Sequence, residues 1–213
     1  MKLPHDLSSY RFLVLGLGKS GLGSAALLRA HGATVFATDD RPHASTADFS
    51  FLSPADALQF GYDALIVSPG VPLSHAVAAA ARTQGRPILG EVELAFQFLS
   101  GPIAATTGSN GKTTTTSLIA EMLQAAQIPA QTGGNIGHAV TAMTPNARPL
   151  QWNILEISSF QLESIDSFHP QIAAVLNVTP NHLDRHGDFA AYHAAKGRIF
   201  ANQKAADWAV LNQ

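Results

Sequence analysis

Short apolar runs alternate along this chain with longer stretches of helical spacing. Arg11-Phe12-Leu13-Val14-Leu15 reads as a buried strand, Ala33-Thr34-Val35-Phe36-Ala37-Thr38 as a second and Asp63-Ala64-Leu65-Ile66-Val67 as a third. Pro87-Ile88-Leu89 is shorter, and Pro102-Ile103-Ala104-Ala105, Trp152-Asn153-Ile154-Leu155-Glu156 and Ala173 to Thr179 continue the series, with a last strand pattern at Trp208-Ala209-Val210-Leu211. Between them lie an Ala-rich segment from Ser24 to Ala30, another from His75 to Arg82, and Glu91 to Leu99 with Leu94, Ala95 and Phe98 on one face. Thr113 to Gln127 carries Leu118, Ile119, Met122 and Leu123, a stripe expected to face a core. Strands alternating with helices predict an α/β fold with parallel sheets. Ser100-Gly101-Pro102 breaks the pattern, so two domains are expected, residues 1–99 and 100–213.

Composition narrows the class. With 213 residues, 46% of them hydrophobic, the chain can bury a sizeable core. A net charge of −2 without a basic stripe argues against nucleic acid. Cysteine is absent, which excludes disulfides and thiolate metal sites. No apolar run has the length of a membrane span or a secretory leader, so a soluble cytoplasmic protein is expected.

The richest chemistry lies at Thr106-Thr107-Gly108-Ser109-Asn110-Gly111-Lys112-Thr113-Thr114, after a strand and before a helix. Successive backbone N–H groups at a helix start form an anion site, and glycines keep side chains out of it. Lys112 can reach the outer phosphates of a nucleotide, and the Thr113 hydroxyl can bind Mg²⁺. Thr106 stands where the strict phosphate-loop pattern has its first glycine, so the match is partial. A carboxylate at the tip of a neighbouring strand is the usual second ligand for such a metal, and Glu156 ends a strand.

The first strand runs into Gly16-Leu17-Gly18-Lys19-Ser20-Gly21, and the second ends at Asp39-Asp40-Arg41. This is a dinucleotide fingerprint in its full strand–turn–helix–strand–acid context. NAD is the default ligand for it, a UDP-sugar fits the same physics, and the glycines alone would also serve close helix–sheet packing. Ser68-Pro69-Gly70 follows the third strand, where open α/β sheets bind ligands, although Pro and Gly equally suit a tight turn. Further along come Gly133-Gly134-Asn135-Ile136-Gly137, which reads as a Gly-rich loop after a short strand, then Ser158-Ser159-Phe160-Gln161-Leu162-Glu163, and Asn181-His182-Leu183-Asp184-Arg185-His186. Singly, His182 reads as a loop histidine, Asp184 and Arg185 as a surface ion pair, and Lys196 as a solvated helix lysine. At successive strand ends they converge on one site.

TTGSNGKTT, GGNIG, LEISSFQLE, NVTPNHLDRHG and YHAAKGRIF, in this order, resemble the Mur ligases, and GLGKSG and SPGVPLSHA agree. The resemblance covers the whole chain. It implies a Rossmann-like parallel-sheet N-terminal domain followed by the first part of a P-loop α/β central domain. It implies the reaction of the member that adds D-glutamate to UDP-N-acetylmuramoyl-L-alanine, with ATP and Mg²⁺, through an acyl phosphate. Gly16 to Gly21, Asp39, Arg41 and Ser68 to Gly70 would then cradle the UDP part. Gly108, Ser109, Asn110, Gly111, Lys112, Thr113 and Thr114 would hold ATP. Thr113 and Glu156 would share a Mg²⁺, and Asn135, Ser158, Gln161 and His182 would contact the muramoyl-alanine substrate or a second Mg²⁺. Lys196 matches the carbamylated lysine of the family, whose carbamate is an oxygen ligand. Lys112, His182 and Lys196 are thus the implied catalytic residues.

Two departures stand out. Asn181 precedes His182 where many members have Asp. The family also has a third, carboxyl-terminal domain, so the chain alone is expected to be an inactive monomer. The alternatives are an NAD-dependent oxidoreductase, which gives Lys112 and Glu156 no task, and a nucleotide-binding module without turnover.

Overall fold

A computed structural model describes residues 1–212. The chain divides into two compact units, Met1–Phe98 and Leu99–Gln213. The first contains β1 (Arg11–Leu15), α1 (Lys19–Ala30), β2 (Thr34–Thr38), β3 (Ser50–Phe51), α2 (Pro54–Gln59), β4 (Ala64–Val67), α3 (Ala76–Thr83), β5 (Ile88–Gly90) and α4 (Glu91–Phe96). Its five strands are all parallel, in the order β3-β2-β1-β4-β5. Leu15 pairs with Thr38 on one side and Val67 on the other, so three strands end level. The chain turns back across the sheet between β1 and β4, which opens a crevice at those ends.

Continuous apolar strands make sense here because both faces are covered. Phe12, Val14 and Ile66 pack with Ala25 and Leu28 on one side, and Leu13, Leu15 and Leu65 with Val77, Ala78 and Ala81 on the other. β3 and α2 lie in a stretch that the periodicity leaves unassigned. Two residues are too few to show a period, and α2 is set by its cap: the Ser53 hydroxyl accepts from Asp56 N–H, with Pro54 at the first turn.

The second unit contains β6 (Ile103–Thr107), α5 (Lys112–Ala125), β7 (Ala130–Gly134), α6 (Val140–Met143), β8 (Trp152–Glu156), α7 (Ser159–Leu162), β9 (Ile172–Val175), α8 (Leu183–His186), α9 (Phe189–Gly197) and β10 (Trp208–Leu211). Its five strands are also parallel, in the order β10-β9-β6-β8-β7. The α/β class with two parallel sheets is as expected from the sequence.

Three local expectations change. Leu118 and Met122 do not face the core; they are 58% and 62% exposed. The face of α5 turned to the sheet is Thr116, Ile119, Ala120 and Leu123, at i, i+3, i+4 and i+7, and only Thr116 is fully buried. The run from Ala173 to Thr179 leaves the sheet at Val175 and passes beside the loop after β6. Gly133 and Gly134 lie inside β7 rather than in a loop. A Cβ on Gly134 would fall 2.2 Å from the Glu156 carbonyl oxygen, so glycine permits the approach of β7 to β8. Among the described residues, no helix is long and apolar enough to cross a membrane.

Candidate functional site

The first unit presents a glycine loop at the mouth of its crevice. Gly16 has φ +89°, and a Cβ on Gly21 would lie 1.8 Å from the Gly16 carbonyl oxygen. The Ser68 hydroxyl donates to that carbonyl at 2.7 Å, joining the loop to the end of β4. Pro69 and Gly70 continue a turn closed by Val71 N–H donating to the Ser68 carbonyl. Asp39 lies beside this loop. Its two carboxylate oxygens accept from Leu17 N–H at 2.7 Å and Arg41 N–H at 3.0 Å, so it fixes the shape of the loop. Burial opposes its charge, but the amides of Arg41 and Leu17 and the charges of His43 and Arg41 hold its carboxyl below the usual range. The Leu17 side chain belongs to the core, whereas Gly18, Lys19 and Arg41 are exposed and Ser20 is half-buried. Gly18 caps α1 without a side chain, leaving the first N–H groups of that helix open to an anion.

The second unit gathers most of its nominated residues around the loop from Gly108 to Thr114. Gly111 caps α5 in the left-handed region, with φ +79° and no side-chain cap. Lys112 Nζ folds over its own loop and donates to the carbonyls of Gly108 at 2.9 Å and Ser109 at 3.1 Å. Lys196, from α9, donates to the same Gly108 carbonyl at 2.8 Å, and its ammonium lies 4.7 Å from the centre of the Tyr192 ring. It is 2% exposed, not solvated as a lone helix lysine would be. Burial, and then the neighbouring Lys112 charge, lower its pKa from 10.5 to about 8.

Thr113 Oγ1 donates to Glu156 Oε2 at 2.7 Å, and Asn135 Nδ2 donates to Glu156 Oε1 at 2.7 Å. Glu156 is buried. A hydroxyl beside a carboxylate is an oxygen donor set suited to Mg²⁺, so the residues present fit that ion. Ser158 and Gln161 form a capping box that shapes α7: Ser158 Oγ accepts from Gln161 N–H, and Gln161 Oε1 accepts from Ser158 N–H at 2.9 Å. His182 is exposed, with φ +52°, and its ring meets Phe160 edge-on at 4.9 Å. Asn181 Oδ1 accepts from His182 N–H. Arg185 pairs with Glu163 at 2.9 Å, rather than simply with its neighbour Asp184.

Residue-by-residue reading missed the stitching of the loop. Ser109 N–H donates to the Asn177 carbonyl at 2.9 Å, Asn110 N–H to Asn177 Oδ1 at 2.9 Å, and Asn177 Nδ2 back to the Asn110 carbonyl at 3.1 Å. Ser109 Oγ also lies 3.0 Å from the Tyr192 hydroxyl. The spacing of Tyr192 and Lys196, four residues apart on one helix, was a usable signal for their shared face.

A model of the Mur ligase middle domain covers residues 106–213, and one of the MurD-like N-terminal domain of Mur ligases covers residues 10–90. The chain belongs to the Mur ligase family. It is 46% identical over 218 residues to a UDP-N-acetylmuramoylalanine–D-glutamate ligase of Koribacter versatilis and 48% identical over 211 residues to one of Solibacter usitatus. Each alignment takes in 97% of this chain and 48% of the relative, so the chain spans about half the length of the curated relatives it matches. The fold is shared with the UDP-N-acetylmuramate:L-alanyl-γ-D-glutamyl-meso-diaminopimelate ligase of Neisseria meningitides, with a TM-score of 0.62 at 18% identity over 95% of this chain and 71% of that one. It is also shared with the UDP-N-acetylmuramate–alanine ligase of Thermotoga maritima, with a TM-score of 0.54 at 19% identity over 95% of this chain and 49% of that one.

Proposed function

We propose that this Mur ligase chain is the nucleotide-holding portion of an ATP-dependent enzyme. That enzyme joins D-glutamate to UDP-N-acetylmuramoyl-L-alanine during cytoplasmic peptidoglycan precursor synthesis. The observation that carries the reading is the meeting of Thr113 and Asn135 on the buried carboxylate of Glu156, beside a phosphate loop with Lys112. The names of the half-matched relatives support the choice of substrate.

In this reading the open N-terminus of α1 and the Gly16–Gly21 loop take the diphosphate of the UDP-sugar. Asp39 holds Leu17 N–H in place, and Arg41 and the Ser68–Gly70 turn flank the loop. The loop from Gly108 to Thr114 takes the phosphates of ATP, with Ser109 and Asn110 N–H held by Asn177 and the amides at the start of α5 left for the ligand, and Lys112 exchanges its loop carbonyls for phosphate oxygens. Thr113 and Glu156 would hold Mg²⁺, which when bound offsets the charge between a triphosphate and an approaching carboxylate. Lys196, with its lowered proton affinity, is suited to carry a carbamate. The residues mainly position and neutralise: the alanyl carboxylate takes up a phosphoryl group, and the D-glutamate amine then displaces phosphate.

Calorimetric titration of the chain tests this. UDP-N-acetylmuramoyl-L-alanine is expected to bind, and NADH in a parallel cell is not. NADH binding without binding of the UDP-sugar would overturn the proposal in favour of an oxidoreductase.

A further inference from the structure

α7 and α8 are four residues each, too short to hold their own shape in water. Side chains lock one to the other. Glu163, directly after α7, accepts from Arg185 Nη2 through Oε2 at 2.9 Å, and its Oε1 lies 3.3 Å from His186 Nδ1. The other ring nitrogen, His186 Nε2, lies 3.0 Å from Ser159 Oγ. The Arg185 guanidinium sits 5.0 Å from the centre of the Phe160 ring, and the His186 ring stacks on that ring at 5.5 Å. The grip is largely shielded from water: the side chains of Arg185 and Glu163 are 16% and 20% exposed, and that of His186 is 4% exposed.

The same two residues hold His182 through the main chain. Arg185 N–H and His186 N–H both donate to the His182 carbonyl, each at 3.1 Å. His182 is one of two non-glycine residues with positive φ among the described residues. A side chain in the left-handed region persists where its surroundings determine it. Here they do so by a short path: α7 fixes the Arg185 and His186 side chains, and their amides fix the His182 carbonyl.

We propose that Glu163, Arg185, His186 and Ser159 form a clamp that positions His182. That His182, so positioned, contacts the muramoyl-alanine substrate or a second Mg²⁺ rests on the ligase reading; the clamp itself does not. Ser159, His186 and Glu163 meet in the order of a nucleophilic triad, but Ser159 is 2% exposed and serves as an anchor for the histidine.

Amide hydrogen exchange and histidine ring NMR on the 213-residue chain test the clamp. Glu163→Ala is expected to speed exchange at the amides of Arg185, His186 and Gly187 at least tenfold and to shift the His182 ring signals. The amides of β6 and β8 should be unchanged. Glu163→Gln, which keeps the shape and removes the charge, should give a smaller change of the same sign. Arg185→Lys should restore most of the protection lost in Arg185→Ala. Unaltered exchange and an unaltered His182 signal in Glu163→Ala would overturn the proposal, as would labelling of Ser159 by a fluorophosphonate. Failure of the ligase reading shows separately, as absence of UDP-sugar binding by the unsubstituted chain.

Discussion

The two units share a plan of five parallel strands and a glycine loop after the first strand, yet they secure that loop by different means. In the first unit the sheet is covered on both faces, and the loop is held by close packing together with two polar ties: Gly21 lies against the Gly16 carbonyl, the Ser68 hydroxyl donates to that carbonyl, and Asp39 accepts from Leu17 N–H. In the second, α5 fully buries only Thr116, and Trp208, Val210 and Leu211 of β10 are 72%, 52% and 65% exposed. There the loop is held by polar stitches from Asn177, Thr179 and Tyr192.

The contrast is open to attack on both sides. The largest effect is expected from Gly21→Ala, whose Cβ would meet a backbone oxygen at 1.8 Å. It should destabilise the first unit by about 3 kcal/mol and abolish binding there. The loss should show as an earlier urea transition by circular dichroism, which reads both units; both tryptophans, Trp152 and Trp208, lie in the second unit, so their fluorescence reports that unit.

A middle effect is expected at Lys196. Its pKa is lowered on folding, so the unfolded chain binds more protons between about pH 8 and 10.5, and stability gains a rising contribution across that window. The penalty for the buried charge is fully present below pH 8. Lys196→Met should remove this part of the slope, seen as a gap between the two stability curves that narrows with increasing pH. The smallest effect is expected from Leu118→Glu with Met122→Lys. Both sites are exposed, so stability should change by about 0.5 kcal/mol or less. Sedimentation should show less self-association at high concentration, because an apolar patch has been removed.

What could be read from the sequence was local. Phe12 to Leu15 announce a buried strand, Gly16 to Gly21 a turn into a helix, and Lys112, Thr113 and Glu156 a phosphate loop with its carboxylate, because each signal lies within a few residues. The partners of charged groups were not legible. Arg185 has Asp184 beside it but reaches Glu163, 22 residues away, because α8 lies against α7. Lys196 shares a face of its helix with Tyr192, a local signal, but the partner that accepts its charge, the Gly108 carbonyl, lies 88 residues away and was not legible. Leu118 and Met122 show the limit of periodicity, which finds an apolar face but not which part of it the sheet will cover. Asp39 was legible as important, while its use on the loop amides depends on how β2 sits beside β1.

The pair of hydrogen bonds between the Asn177 side chain and the Asn110 backbone also bears on timing. Ordering the backbone of one residue costs about 1–2 kcal/mol in entropy, and a slack loop meets that cost when its ligand arrives. Here Asn110 and Ser109 are ordered as the chain folds. Their own amides are spent on Asn177, so in the ligase reading a phosphate would meet the amides that follow, at the start of α5, presented by a loop that is already ordered before the ligand arrives.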